Sequence, residues 1–371
     1  MTGRRSKFVR EHALARYARG RPRARASARL RLAARLRLAL TFSALLLAAC
    51  AKAPAPQKYL LEKPPPSADL VGALSFYETA EEDTLIDVAP ELGVGYVELV
   101  AANPGVDPWL PGNTRLAVPN ARLLPSGKRE GIVVNLGDLH LYYFAKGAPP
   151  RAYPIGIAKD GYATPLGVTT VKAKKEKPTW VPGESALRDD PTLKRQVPPG
   201  PDNPLGEYAL YLGWPSYLIH GTNDARGVGR HSSRGCIRLY PDHIEELYGL
   251  VELGTPVRVL YEPVKLGWIA NELYLEVNPD EAQSLELDET GKLAPKPPLK
   301  GLREQVAKAA GKQAKRVDWV LVDKAGQKRL GIPTRVTVPA AAHPKPTVAK
   351  PAPAKSPPKA PPPNPASPRR D

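Results

Sequence analysis

The chain has 371 residues, 42% of them apolar and 25% charged, which excludes both a short disulfide-bound mini-protein and a wholly disordered chain. Its formal charge of +17 raises the question of a nucleic-acid partner, yet residues 1–37 carry thirteen Lys/Arg against Glu11 alone and residues 339–371 carry six against Asp371 alone. Residues 38–338 are therefore neutral and show no nucleic-acid-binding module, so no nucleic-acid partner is expected.

The basic leader runs into Leu38–Ala49, twelve residues without a charge, in the order of an export signal. At 1.5 Å rise such a run spans about 18 Å, short of the roughly 30 Å hydrocarbon core of a bilayer. It ends in Leu47-Ala48-Ala49-Cys50, which resembles the lipobox of bacterial lipoproteins. The resemblance implies a lipidated Cys50, a membrane link through that lipid only, and a periplasmic place; Ala51 after the cysteine points to the outer membrane. An ordinary cleaved signal with Cys50 a bystander is the alternative. With Cys50 and Cys236 the only cysteines, lipidation leaves one free thiol and no internal disulfide.

Residues 51–68, with five prolines, read as an extended linker. Over 69–120 the pattern predicts a strand at Leu74–Tyr77, a helix opening near Glu82-Asp83-Thr84, a second helix around Val97–Ala101 and a strand at Arg115–Val118. The points Asp83-Thr84-Leu85, Ala89, Asn103-Pro104, Leu110, Gly112, Leu116 and Val118-Pro119 resemble the LysM module. That implies a small βααβ unit with affinity for the glycan of peptidoglycan; a packing domain without a ligand is the alternative.

From Glu130 the period changes to two. Ile132–Leu136 and Leu139–Phe144 predict a hairpin with Gly137-Asp138 as a two-residue turn. Further strands are expected at Ala152–Ala158, Val168–Lys172, Tyr208–Leu212, Tyr217–His220 and Pro256–Leu260, and a helix at Pro241 with Asp242 as N-cap and Ile244, Leu247 and Tyr248 inward. The irregular, Pro-rich stretch between Lys174 and Asn203, with Trp180, reads as a lid. The fold expected for 128–262 is thus mainly β, a sandwich or mixed sheet with one or two helices.

Residues 263–338 suggest a small α+β extension: a hairpin from Pro263 to Val277, a helix near Leu299–Ala310, and strands at Asp318–Val322 and Thr334–Val338. Residues 339–371, with twelve prolines among Ala and Lys, predict a disordered tail.

Two segments carry chemistry: Ile219-His220-Gly221-Thr222 and Ser232-Ser233-Arg234-Gly235-Cys236-Ile237-Arg238-Leu239. A free thiol with pKa near ~8.5 is a weak nucleophile at neutral pH, so it needs a base; an imidazole would supply it as a thiolate–imidazolium pair, with backbone N–H donors for the oxyanion. Gly235 would let the backbone approach the substrate. A buried structural cysteine is the alternative. The histidines and cysteines have no zinc-type spacing, and no metal or cofactor is expected.

The segment pair resembles the active-site signature of L,D-transpeptidases with a YkuD-type catalytic domain, and within them the ErfK/YbiS group. Supporting segments are Arg129–Asn135, Tyr153–Ile157, Pro178-Thr-Trp180, Gly200–Pro204 and Leu218–Thr222, so the resemblance spans roughly Asp69 to Val277. It implies Cys236 as nucleophile, His220 as base, the Gly221 carbonyl orienting the imidazole, and the N–H groups of Gly235 and Cys236 as oxyanion donors. It places Ser233, Arg234 and Arg238 in the substrate-binding set, Arg238 positioning the segment or a substrate carboxylate. Arg234 stands where many relatives have a second His. His231 is expected on a surface loop, and His140 and His243 in solvated or capping roles.

The implied reaction is acyl transfer from a peptidoglycan tetrapeptide stem through a Cys thioester, with loss of D-Ala. A lysine of an outer-membrane lipoprotein as acceptor gives envelope attachment, a neighbouring stem gives a 3–3 crosslink, and water gives an L,D-carboxypeptidase. A non-catalytic peptidoglycan-binding lipoprotein is the competing class.

Overall fold

The computed structural model describes residues 69–338 apart from 295 and 298. The leader with Cys50, the linker and the Pro-rich tail lie outside the described residues. In chain order the elements are β1 (Leu70–Val71), β2 (Ser75–Glu78), α1 (Leu85–Glu91), α2 (Tyr96–Ala102), β3 (Arg115–Val118), β4 (Arg122–Leu123), β5 (Gly131–Asn135), β6 (His140–Phe144), β7 (Arg151–Pro154), β8 (Ile157–Ala158), β9 (Gly167–Glu176), α3 (Glu184–Asp189), β10 (Tyr208–Leu212), β11 (Leu218–His220), β12 (His231–Ser233), β13 (Ile237–Arg238), α4 (Pro241–Leu250), β14 (Pro256–Leu260), β15 (Val264–Ile269), β16 (Glu272–Val277), α5 (Glu281–Thr290), α6 (Leu302–Ala310), α7 (Trp319–Lys328) and β17 (Thr334–Arg335).

Residues 69–123 form a β-α-α-β unit. Thr84 caps α1 by accepting the Asp87 N–H at 3.3 Å, and β2 pairs antiparallel with β3, Ser75 opposite Val118. The unit is packed firmly onto its neighbour. Leu85, Val88, Leu99 and Leu116 belong to the same buried cluster as Ile132, Leu210, Ile219 and Leu247, and Val97 N–H donates to the Gly229 carbonyl at 3.2 Å. At that contact a Cβ on Gly229 would lie 2.1 Å from the Gly95 Cα, and its φ is +70°, so only glycine fits.

The middle of the chain builds one mixed sheet of eight strands, in the order β13-β11-β10-β9-β14-β5-β6-β7. Pairings are antiparallel except β14 with β5 and β11 with β13. The β5–β6 hairpin differs from expectation. Asn135 pairs with His140, so four residues turn the chain, not two. The Asn135 side chain accepts the Gly137 N–H, the Asp138 carboxylate accepts the His140 N–H, and the left-handed residue is Leu139 at φ 55°. Helix α4 starts at Pro241 as expected, but its N-cap is Tyr240 and not Asp242, which is exposed in the first turn. Ile244 and Leu247 are buried, and Tyr248 lies half-buried against Tyr208.

The C-terminal part pairs β15, β16 and β17 in a three-stranded sheet against which α6 and α7 bury Leu302, Val306, Ala310 and Val322. The strand expected at Asp318–Val322 is instead the start of α7. Asp318 accepts the N–H groups of Val320 and Leu321, and Val322 and Gly326 face inward at helical spacing. A short apolar run of this kind fits either period, and the cap decides it. Helix α5, opened by Asp280 in a capping box with Gln283, carried no clear apolar stripe to reveal it.

Two buried ionic groups rivet the three parts. Lys265 Nζ lies 2.6 Å from Asp138 Oδ2 and 2.7 Å from Glu276 Oε1, with no side-chain exposure in any of the three. The Leu123 carbonyl and the Tyr142 hydroxyl complete its surroundings. Arg122 pairs with Glu98 at 2.7 Å and lies 3.2 Å from His140 Nδ1. His140 is therefore a core residue rather than a solvated one. Burial, then the nearby Arg122 charge, hold it well below the ordinary imidazole range. Among the described residues no helix is long and apolar enough to cross a membrane.

Candidate active site

The site follows from the parallel pairing of β11 with β13, in which Ile219 lies opposite Ile237 and His220 opposite Arg238. Side chains alternate along a strand. The two isoleucines point into the core, where both are buried, so His220, Arg238 and Cys236 project from the other face. Cys236 immediately precedes β13, which in this register sets it two positions along from His220 on the neighbouring strand, and its thiol donates to the Ser216 carbonyl at 3.5 Å.

His220 is buried, and its Nδ1 lies 2.6 Å from the Gly221 carbonyl, as expected. That bond fixes Nδ1 as the protonated nitrogen and leaves Nε2 to accept. Burial, then the Arg238 charge, lower its pKa to about 4, against the opposing pull of the Gly221 and Leu205 carbonyls. At neutral pH the ring is uncharged. Burial pushes the Cys236 thiol up, while the Leu218 N–H and Arg238 pull it down. Thiol and imidazole are thus both uncharged at neutral pH, so the thiolate–imidazolium pair expected from the sequence is not the resting state.

The turn before the cysteine is organised by Ser233. Its buried hydroxyl donates to the Cys236 carbonyl at 2.6 Å and accepts the Gly235 N–H at 3.0 Å. Two expectations change here. The Ser233 hydroxyl is spent on bonds inside the loop, and the Gly235 N–H, expected to face an oxyanion, is already engaged by it. Gly235 is required by packing as well: its φ is +115°, and a Cβ would meet the Ala163 carbonyl and the Tyr217 ring at 2.9 Å.

Arg238 is half-buried, and its Nε has no hydrogen-bond partner among the described residues. A guanidinium held beside the thiol and free at one donor is suited to an anion. Arg234 is exposed and bonds Asp189 of the lid at 3.0 Å. His231 is not on a surface loop. It lies half-buried in β12, with Nδ1 3.2 Å from the Ala158 carbonyl and Nε2 2.9 Å from Ser284 of α5. His243 is half-buried between the Tyr153 and Tyr240 rings.

Sequence reasoning missed Lys159, Tyr162, Thr164 and Asp189. Thr164 donates to the Gly235 carbonyl at 2.9 Å and Lys159 N–H donates to the Ser233 carbonyl at 2.9 Å. These contacts span more than seventy residues, and no local pattern announces them; only the Pro-rich lid around Asp189 was visible. The base of the 174–203 stretch is closed by the mutual bonds of Trp180 and Val197 and by the Asn203 amide, which reaches the carbonyls of Pro178, Val197 and Pro198. Among the described residues no three His, Cys, Asp or Glu side chains group as metal ligands.

Comparison with known proteins agrees with this geometry. The family model for the YkuD L,D-transpeptidase catalytic domain matches residues 129–259. The probable L,D-transpeptidase ErfK/SrfK of Salmonella typhimurium is 37% identical over 284 residues, covering 74% of this chain and 90% of that protein. The probable L,D-transpeptidase YbiS of Escherichia coli is 38% identical over 257 residues, covering 67% and 81%. The putative L,D-transpeptidase YkuD of Bacillus subtilis is 28% identical over 185 residues, covering 49% and 97%.

Proposed function

The chain belongs to the L,D-transpeptidase family, and from that premise we propose that it is a periplasmic enzyme acting on peptidoglycan tetrapeptide stems through a thioester on Cys236. His220 Nε2 takes the thiol proton as sulfur attacks the carbonyl before the terminal D-Ala. The Cys236 N–H meets the oxyanion. The imidazolium then gives its proton to the departing D-Ala amine, and an incoming amine repeats the cycle in reverse. Arg238, charged and unpartnered at Nε, steadies the negative charge that builds on the sulfur and the substrate.

The observation that carries the reading is the placement of Cys236 and His220 on one sheet face with the imidazole locked by Gly221. Residues 69–120 are read as a LysM-like glycan-binding module that holds the enzyme on its polymer, and Cys50 as a lipid anchor in the outer membrane. The amine acceptor is a lysine of an outer-membrane lipoprotein or a neighbouring stem. The test is release of D-Ala from purified tetrapeptide muropeptides by protein lacking residues 1–50. The wild-type chain releases it and Cys236→Ala does not; equal release by both removes the reading. Mass spectra of the products assign the acceptor.

A further inference from the structure

The lid meets the nucleophile loop at one carboxylate. Asp189, the last residue of α3, receives Arg234 Nε at 3.0 Å and the Tyr162 hydroxyl, with Lys159 Nζ at 3.9 Å. All three partners reach the same oxygen, Oδ2. The Arg234 guanidinium and the Lys159 ammonium also flank the Tyr162 ring, at 5.9 and 5.2 Å from its centroid. Two cations and a hydroxyl converging on one oxygen make a receptor for an anion, and a guanidinium is suited to a carboxylate.

This receptor is built on the catalytic loop itself. Arg234 stands two residues before Cys236, and the 159–164 segment is bonded to the Ser233 carbonyl through the Lys159 N–H and to the Gly235 carbonyl through the Thr164 hydroxyl. Its present occupant is held loosely. Helix α3 buries only Ala186, and among the described residues every side-chain hydrogen bond and ion pair tying 184–195 to the rest of the protein ends on Asp189. Exposed pairs of this kind are weak and exchange readily.

We propose that Lys159, Tyr162 and Arg234 form the recognition site for the terminal D-Ala carboxylate of the peptide stem, and that Asp189 occupies it as a built-in mimic which substrate displaces. The proposal rests on the stem-cleaving reading above and adds to it a specificity site and an autoinhibitory lid. Displacement frees α3 to swing while the base at Trp180, Val197 and Asn203 stays closed. A stem lacking the terminal charge has no means of evicting Asp189, so the lid discriminates between free and amidated stems.

The experiment measures binding in the Cys236→Ala protein, where no turnover occurs, using a synthetic tetrapeptide stem with a free C-terminal carboxylate and the same stem as its carboxamide. The free acid binds more tightly than the amide. Adding Asp189→Asn tightens the acid by about two- to fivefold, the scale of one exposed ion pair. Adding Arg234→Gln weakens the acid by about tenfold and leaves the amide unchanged, and Arg234→Lys restores part of the loss. Equal affinity for acid and amide, or an Asp189→Asn protein that binds the acid no better, overturns the proposal. In the Cys236-containing enzyme the same changes appear in KM for D-Ala release and not in kcat. Acid-selective binding without any D-Ala release by that enzyme sinks the stem-cleaving reading and leaves the carboxylate site standing.

Discussion

Two clusters of charge in this protein, each of three ionic groups, have opposite characters. Around Lys265 an ammonium and two carboxylates are sealed from water; around Asp189 a carboxylate, a guanidinium and an ammonium sit at the surface. In the first, each group lost leaves a bare buried charge, so the cluster fixes how the 69–123 unit, the sheet and the C-terminal part meet. In the second, water replaces whatever is lost, so the contact can open and close. Burial, rather than the identity of the ion pair, separates a rivet from a latch.

The largest effect is expected in the rivet. Lys265→Met should cost about 3–5 kcal/mol in denaturant unfolding, because Asp138 and Glu276 stay buried without their cation. Replacing all three by apolar residues of similar size should cost less than that single change. If Lys265→Met unfolds at the wild-type midpoint, the core cluster is wetter than described here and the contrast with Asp189 fails. Asp189→Asn should leave the melting temperature where it was.

Ser233→Ala sits between these extremes. It removes two hydrogen bonds inside a buried turn and should cost about 1–3 kcal/mol. It should also lower kcat for D-Ala release by freeing the loop that aims Cys236. A variant of full activity would show that the turn holds its shape without the hydroxyl.

A smaller and graded effect is expected with pH. His140 and His220 both have folded pKa values below the ordinary ~6.5, each chiefly because burial disfavours the imidazolium. The unfolded chain therefore binds more protons than the folded one below pH ~6.5. Stability is intact above that value and falls as the pH drops through about 4. A denaturation midpoint that is flat between pH 7 and 4 in wild type, or equally sloped in His140→Gln, contradicts the buried neutral state of His140.

The fold was legible where one force decides it. Period-two alternation located Tyr208–Leu212 and Pro256–Leu260 to the residue, because half-buried strands must alternate. It was misleading at Asp318–Val322, where four consecutive bulky residues fit a strand until the Asp318 cap is seen. The contact between His220 and the Gly221 carbonyl was legible because both residues lie in one short segment whose resemblance to the family signature implied it. The roles of Ser233 and Gly235 were not, since they depend on which N–H a hydroxyl reaches inside a turn. His140, expected in a solvated or capping role, and the turn residue Asp138 prove buried with Lys265, because the partners of this cluster come from segments up to 142 residues away, as the Lys265–Leu123 contact shows.

The central claim is that a neutral imidazole on the same sheet face draws the proton from the Cys236 thiol. The direct test is acylation by a carbapenem, followed by intact mass and peptide mapping between pH 3 and 8 in wild type and His220→Ala. The account predicts a single adduct on Cys236, an acid limb with its midpoint at about 4, and a large loss of rate in His220→Ala. An adduct on any other residue, or a His220→Ala protein that acylates as fast as wild type, would contradict it.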